Sequence, residues 1–327
     1  MKAFAYVNAA TEKEAVAALG PDRGRMLPLG GGMDLLAMMK DYVAQPDRLV
    51  NVKNLDRTIA KTPDGGLRIG SAVTLADLAA DAGVARLYPA LAQAADQVGT
   101  PQIRNAGTVG GNLNQRPRCW YFRNEEFACL KKGGDRCFAV DGENQYHAIF
   151  GDGPCHIVHP SSLAVPAVAL NARFRVVGPA GEREIPAGEY YMMPDRNLFG
   201  ETTLAPNEIL THVLLPAPGT SKSASYEVRY RQSYDWPLAI ASVALLMNGQ
   251  TIRSARIVMG AVAPIPWRSA AAEAALAGKS IGEAAATAAA DAAIAGATPM
   301  SLNGYKVQIA RTAVKRAIMK AGGMKVV

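Results

Sequence analysis

All four cysteines of the chain, Cys119, Cys129, Cys137 and Cys155, fall within 37 residues, and the other 290 residues hold none. The segment that carries them, 119–155, has few periodic apolar signals. It is too long for an ordinary connection between elements, and loops of that length are usually functional. The gaps between successive cysteines are nine, seven and seventeen residues. Four thiols can make two disulfides, a zinc site or an iron–sulfur cluster. The N-terminus, MKAFAYVNAATEKEA, has no long apolar core and does not read as a secretory signal, which argues against disulfides. Zinc ribbons and ferredoxins both favour tight C-x2-C pairs, and none occurs here. The spacing therefore points to a metal or cluster site and leaves zinc and iron both open. Thiolates suit soft metals, and Gly133, Gly134, Gly142, Gly151 and Gly153 let the loop bend around one. His147 lies in the segment and His156 and His159 just after it; they are expected to donate hydrogen bonds or to pack rather than to ligate.

At 327 residues the chain has room for about two domains. Its longest largely apolar run, Leu238 to Met247 with Ser242 inside it, is ten residues, half of the roughly twenty that a membrane span needs. By its own sequence the chain is expected in the cytoplasm, or in the periplasm if a signal-bearing partner carries it there. The net charge is +7, but Lys and Arg are spread along the chain, so nucleic acid is not the expected partner. The densest basic stretch, Arg116, Arg118, Arg123, Lys131, Lys132 and Arg136, sits among the cysteines and suggests a docking face for an acidic partner or an anionic cofactor.

The first seventy residues alternate strand and helix signals. Strands are expected at Ala3–Val7, Met26–Leu29, Arg48–Val52 and Leu67–Ala72, and a helix at Met33–Lys40. Thr11 and Glu14 form a capping-box pattern ahead of another helix. Residues 74–98 read as largely helical with Thr74 as N-cap, and 99–118 as loop. A Pro/Gly/Ser cluster at 215–221 marks a boundary between residues 1–218 and 222–327. Beyond it come three strands and an Ala-rich helical hairpin interrupted at Gly278 and Gly282. A last helix follows, with Val307, Ala310, Val314 and Ile318 facing the core.

Two glycine loops carry a second kind of chemistry. Leu29-Gly30-Gly31-Gly32-Met33-Asp34-Leu35 joins a strand to a helix, where backbone N–H groups make an anion site. It is neither G-x-G-x-x-G nor a Walker loop. Gly107-Thr108-Val109-Gly110-Gly111-Asn112-Leu113-Asn114 offers backbone donors, a hydroxyl and two amides. Two donor-rich loops in one domain suggest a dinucleotide that is not held in Rossmann fashion.

These motifs, with Arg104-Asn105-Ala106 before the second loop, Pro160-Ser161-Ser162-Leu163-Ala164-Val165 and Asn207-Glu208-Ile209-Leu210, resemble the FAD-binding medium subunit of the xanthine dehydrogenase/molybdenum hydroxylase family, essentially end to end. The cysteine loop, with Cys119-Trp120-Tyr121-Phe122 and Tyr146-His147-Ala148, is similar to the branch that contains the flavoprotein subunit of bacterial periplasmic aldehyde oxidoreductase. A comparable insertion marks the 4-hydroxybenzoyl-CoA reductase branch. In both branches the resemblance implies an extra [4Fe-4S] cluster, here on Cys119, Cys129, Cys137 and Cys155 in a loop of about 116–158. It implies an α+β fold: a two-lobed FAD domain of the vanillyl-alcohol-oxidase (PCMH) type, then a small α+β domain of the CO dehydrogenase flavoprotein type. FAD would be held by Leu27, Leu29, Gly30, Gly31, Gly32, Met33, Asp34 and Leu35 on one loop, and by Thr108, Gly110, Gly111, Asn112 and Asn114 on the other. Ile103 and Leu210 would border the flavin ring, with Ser162 and Arg229 completing the set. The family often has Asp at the first of these two and Lys at the second.

The resemblance implies an electron-transfer subunit. Substrate is oxidised at a molybdenum cofactor on a large partner, and electrons pass through [2Fe-2S] clusters of a small partner to FAD here and on to an acceptor. No catalytic residue beyond the flavin is expected on this chain. The alternatives are a stand-alone FAD oxidase, which would need an acid/base pair at the flavin, and a zinc-stabilised binding module without redox chemistry.

Overall fold

The computed structural model describes residues 1–22, 24–231 and 233–326. The N-terminal unit is built from β1 (Ala5–Asn8), α1 (Glu12–Ala18), β2 (Met26–Leu29), α2 (Leu35–Lys40) and β3 (Arg48–Asn51). β3 lies between β1 and β2 and pairs in parallel with both. α1 starts where the capping box expects it. Thr11 Oγ1 accepts from the Glu14 N–H at 3.2 Å, and the Glu14 carboxylate reaches back to the Ala10 N–H at 2.9 Å.

A five-stranded antiparallel sheet follows, from β4 (Ile59–Lys61), β5 (Leu67–Gly70), β6 (Arg173–Gly178), β7 (Gly181–Pro186) and β8 (Ile209–Leu215), in the order β4-β5-β8-β6-β7. Between β5 and β6 run α3 (Leu75–Ala80), α4 (Ala82–Leu87), α5 (Pro89–Asp96), α6 (Pro101–Ala106), α7 (Val109–Leu113), α8 (Trp120–Arg123) and α9 (Ala164–Ala169); α10 (Ala187–Tyr190) follows β7. The stretch 99–118, expected to be loop, contains the two short helices α6 and α7. Its threonines are N-caps: Thr100 Oγ1 accepts from the Ile103 N–H at 3.3 Å and Thr108 Oγ1 from the Gly111 N–H at 3.1 Å. Gly, Thr and Asn are turn formers and cap residues alike, so a helix of one or two turns hides among them. Phe174 and Tyr190, both wholly buried, centre the core under this sheet. Burying a side chain such as Phe174 contributes about 1.5–3 kcal/mol.

Sheet membership changes between Leu215 and Ser221. β9 (Ser221–Arg229), β10 (Pro237–Asn248), β11 (Thr251–Gly260) and β12 (Trp267–Arg268) form an antiparallel sheet ordered β12-β11-β10-β9. It is covered by α11 (Ala270–Leu276), α12 (Glu283–Ile294) and α13 (Tyr305–Ala321). The Ala-rich segment is a helical hairpin, as its spacing suggests; Gly278 turns the chain at φ +75°, and Ala286, Ala289, Ala290 and Ala293 are buried. Ala310, Val314 and Ile318 are buried and Val307 packs beside them. The two domains are joined by polar contacts as well as apolar ones. Ser225 Oγ donates to the Ala90 carbonyl at 2.9 Å, and the Ser225 N–H donates to Gln93 Oε1 at 3.0 Å.

Candidate functional site

The end of β2 runs directly into the triple glycine, which lies against the turn between α6 and α7. The approach is close enough to require glycine. A Cβ on Gly31 would sit 2.6 Å from the Ala106 carbonyl carbon and 2.8 Å from Gly107 Cα, and one on Gly30 would sit 2.6 Å from Thr108 Oγ1. Gly32 takes φ +75°, where side chains are strained. The two glycine loops, 75 residues apart in sequence, therefore form one backbone surface.

This surface is one wall of a cleft of about 420 Å³, a size suited to an organic cofactor. Leu27, Leu29, Gly30, Gly31, Gly32, Met33, Asp34 and Leu35 line it from the first loop. Thr108, Gly110, Gly111, Asn112 and Asn114 line it from the second, and Ile103, Ser162 and Leu210 complete the expected set. Arg229 is the exception. Its guanidinium pairs with Glu227 at 2.6 Å and donates to the Gln97 carbonyl, and its side chain is 6% exposed. It stands behind the wall and holds Gln97, which does line the cleft.

Several expected contacts have structural partners. Asn112 Oδ1 accepts from Ser161 Oγ at 2.7 Å, tying the second loop to the stretch before α9. Asn114 donates to the Gly110 carbonyl at 2.9 Å and accepts from Tyr190 OH at 2.6 Å. Burial, eased by the bond to Asn114, pushes the Tyr190 phenol upward, so that it remains a donor. Asp34 accepts from the Arg116 N–H at 2.8 Å and pairs with Arg118 at 2.7 Å and Arg123 at 2.6 Å. That one carboxylate fastens the first glycine loop to the start of the cysteine segment.

Sequence reasoning missed the far wall. Tyr234, Asp235 and Trp236, from the loop between β9 and β10, line the cleft, and Arg118 stacks over the Trp236 ring at 4.5 Å. The cleft therefore lies between the two domains. The available signal was the Tyr-Asp-Trp-Pro run just before a strongly apolar strand.

The cysteine segment folds into a second, small cavity. Cys119 caps α8, Cys129 precedes a turn of 3-10 helix at Leu130–Lys132, Cys137 follows the Gly133–Gly134 turn, and Cys155 follows Gly151–Gly153. All four line the same cavity with Tyr121, Phe122, Phe138, His147 and His156, and all four are free thiols. Among the described residues, no group of three or more His, Cys, Asp or Glu side chains stands in a metal-holding arrangement. The donor set nonetheless fits a four-thiolate centre in identity, number and convergence on one space. Cys155 shares a hydrogen bond with Cys137, which draws the Cys137 thiol down and pushes Cys155 up. Burial raises Cys119 to about 11. His147 Nε2 lies 3.3 Å from Cys119 Sγ. Burial, then the Lys306 charge, holds that imidazole at about 4. His159 is not in the cavity; it packs on Tyr191 with ring centroids 4.4 Å apart.

Four of the six basic side chains are turned inward, and two of these, Arg116 and Arg118, line the cofactor cleft, while Arg136 stays exposed. Arg118 and Arg123 serve Asp34, while Arg116 and Lys131 converge on Glu201 at 3.0 and 2.8 Å. The Lys131 side chain is 1% exposed. Burial alone would raise the Glu201 carboxyl, but the charges of Arg116 and Lys131 outweigh it and hold the group below its usual range.

Two glycine loops closing on an interdomain cleft define a protein whose backbone lets an extended dinucleotide cofactor approach closely. Residues 2–218 match the FAD binding domain of molybdopterin dehydrogenases, and residues 224–321 match the CO dehydrogenase flavoprotein C-terminal domain. The chain is 35% identical to the FAD-binding subunit of Escherichia coli (strain K12) aldehyde oxidoreductase, PaoB, over 98% of this chain and 99% of that one. It is 30% identical to the carbon monoxide dehydrogenase medium chain of Hydrogenophaga pseudoflava, over 97% of this chain and 96% of that one. A solved structure of Hydrogenophaga pseudoflava carbon monoxide dehydrogenase superposes with a TM-score of 0.75 at 29% identity, covering 98% of this chain and 97% of that one. The chain belongs to the family of FAD-binding medium subunits of molybdopterin dehydrogenases, and it is an oxidoreductase subunit. Among the described residues no helix is long and apolar enough to cross a membrane.

Proposed function

We propose that this chain is the FAD- and [4Fe-4S]-carrying electron-transfer subunit of a heteromeric molybdenum hydroxylase of the aldehyde-oxidising kind. The observation that carries the reading is the meeting of four free thiols on one cavity directly beside the cofactor cleft. Cys119 follows Arg118, a residue of the cleft wall, and consecutive Cα atoms are about 3.8 Å apart. FAD would lie across both glycine loops, its pyrophosphate toward Gly30–Gly32 and its ring toward Ile103 and Leu210, in a domain of the vanillyl-alcohol-oxidase type. Bound FAD supplies one- and two-electron chemistry; the chain's own residues bind and orient it. Cys119, Cys129, Cys137 and Cys155 would hold the cluster, with Tyr121, Phe122 and Phe138 limiting access of water.

The relatives' names favour partners. A large subunit with the molybdenum cofactor would oxidise the substrate, and a small subunit with two [2Fe-2S] clusters would pass electrons to this chain. Two of the three carboxylates that line the cleft agree with that division of labour: Asp34 is committed to Arg118 and Arg123, and Glu208 to Arg183 at 2.8 Å. The third, Asp235, accepts from the Trp236 N–H at 2.8 Å. Anaerobic purification with native partners, followed by flavin, iron and sulfide analysis, tests the reading. The expected content on this subunit is one FAD, four iron and four sulfide, with cluster iron lost when any two of the four cysteines become Ser. Zinc in place of iron, or aldehyde turnover by the isolated subunit at the rate of the assembly, overturns it.

A further inference from the structure

The stretch that brings His147 to the cysteine cavity is held from outside the N-terminal domain. At the start of α13, Lys306 is 1% exposed and has no carboxylate partner among the described residues. Its three N–H donors go to the carbonyls of Tyr146 at 3.2 Å, His147 at 2.9 Å and Ala261 at 2.6 Å. Asn303, wholly buried, donates to the carbonyls of His147 and Ala148, both at 3.1 Å. The His147 N–H is itself bonded to the Asn144 carbonyl at 2.9 Å. The backbone of His147 is thus pinned at both ends, and a buried lysine has been spent on it. The glycine loops and the cofactor cleft have no use for such an anchor. What it fixes is the imidazole, which lies in the cavity wall between Trp120 and Tyr121, with Nε2 3.3 Å from Cys119 Sγ and Nδ1 buried without a partner.

The geometry points to His147 as a positioning residue that donates its Nε2–H to the Cys119 sulfur and thereby raises the reduction potential of the centre those cysteines hold, with Lys306 and Asn303 keeping the ring in place from the C-terminal domain. The inference rests on the cluster reading above. With the proton on Nε2, the imidazole gives its hydrogen to the sulfur and leaves a bare lone pair at Nδ1. The other tautomer would bury an N–H with nothing to accept it. A reduced cluster carries one more negative charge than an oxidised one, spread partly onto its thiolates. A donor at one sulfur therefore stabilises the reduced state more, and hydrogen bonds to the sulfurs are an established lever on such potentials.

The test uses the purified complex, wild type and with His147→Leu or His147→Gln, in redox titrations followed by the EPR signal of the reduced centre. His147→Leu keeps bulk and removes the donor; His147→Gln restores one. The expected result is a several-fold fall in the reduced fraction of the centre at a fixed poise in His147→Leu, about 59 mV for each tenfold. His147→Gln should recover part of the loss. Electron-spin-echo spectra of histidine labelled with 15N give an independent readout on the wild type: a nitrogen modulation on the reduced centre, absent in His147→Gln. Equal potentials in an iron-loaded His147→Leu variant, or no histidine modulation in the wild type, overturn the inference and leave the cluster reading standing. A wild-type subunit without iron overturns both.

Discussion

The substitution Gly31→Ala probes the meeting of the two glycine loops. A Cβ there faces backbone on the other loop, 2.6 Å from the Ala106 carbonyl carbon and 2.8 Å from Gly107 Cα, with the Ala106 oxygen closer still. Ordinary contact begins at 3.4 Å, so the loops must part by at least 3.4 − 2.6 = 0.8 Å. No flexible side-chain end is available to swing away. Overpacking of this kind costs about 1–3 kcal/mol, and if that cost falls on the bound form, the FAD dissociation constant rises roughly 5- to 150-fold. Thr108 caps α7 from the same turn, so the second loop's N–H groups move with it. Equilibrium dialysis of reconstituted apoprotein, read by flavin fluorescence, measures the change. Gly296→Ala is the control, because its Cβ would meet nothing within 4 Å. FAD affinity within twofold of wild type in Gly31→Ala would refute the argument that the loops form one binding surface.

Three further perturbations separate the other parts. Glu201→Gln leaves buried Lys131 without its counter-charge, and removing one member of a buried pair costs about 3–5 kcal/mol; thermal denaturation should show it, and adding Lys131→Met should return much of the loss. Thr108→Val removes a side-chain cap worth about 1 kcal/mol and should weaken FAD binding by less than Gly31→Ala does. At Asp56, burial opposes ionisation, but hydrogen bonds from Thr58 and from His212, 2.9 Å away, hold the carboxyl at about 2. A depressed carboxylate contributes stability above its unfolded value of about 3.9 and loses it as pH falls toward the folded value. Acid unfolding below pH ~4 should therefore be less steep in Asp56→Asn, and an unchanged slope would remove Asp56 from the account.

What the sequence made legible and what it hid divide along physical lines. The capping box at Thr11, the Ala-rich hairpin turned at Gly278 and the strand ending in Gly30 are local, each set by a few neighbouring residues. Both loops could be seen as cofactor loops for the same reason. The far wall of the cleft could not, because Tyr234 and Trp236 reach it only through the packing of one domain on the other. The inward turn of four residues of the basic stretch was hidden as well. Six basic side chains within twenty-one residues look like a surface until Asp34 and Glu201, one upstream and one far downstream, are brought to meet four of them. Lys306 illustrates the same limit: in sequence it is a lysine in an amphipathic helix, and its burial follows from three carbonyls on two distant segments.

Asp34 shows why cleft and cysteine cavity should be treated as one device. The residue belongs to the first glycine loop, yet its carboxylate is shared among Arg116, Arg118 and Arg123, which bracket Cys119 in sequence. Glu201 repeats the arrangement further along, binding Arg116 on one side and Lys131, two residues past Cys129, on the other. Two buried or half-buried carboxylates thus staple two of the four cysteines to the wall that would hold FAD. Stapling of this kind gives little net stability, since burial of the charges offsets most of their attraction. What it provides is a fixed separation. Electron transfer between a flavin and a metal centre on one chain needs that separation to stay constant. An irregular segment of 37 residues does not keep one by itself, because it lacks the regular hydrogen-bond ladder that stiffens a helix or sheet. The charges do here what secondary structure does elsewhere in the molecule. Those of Arg116, Arg118, Arg123 and Lys131 are spent inside, between the two sites.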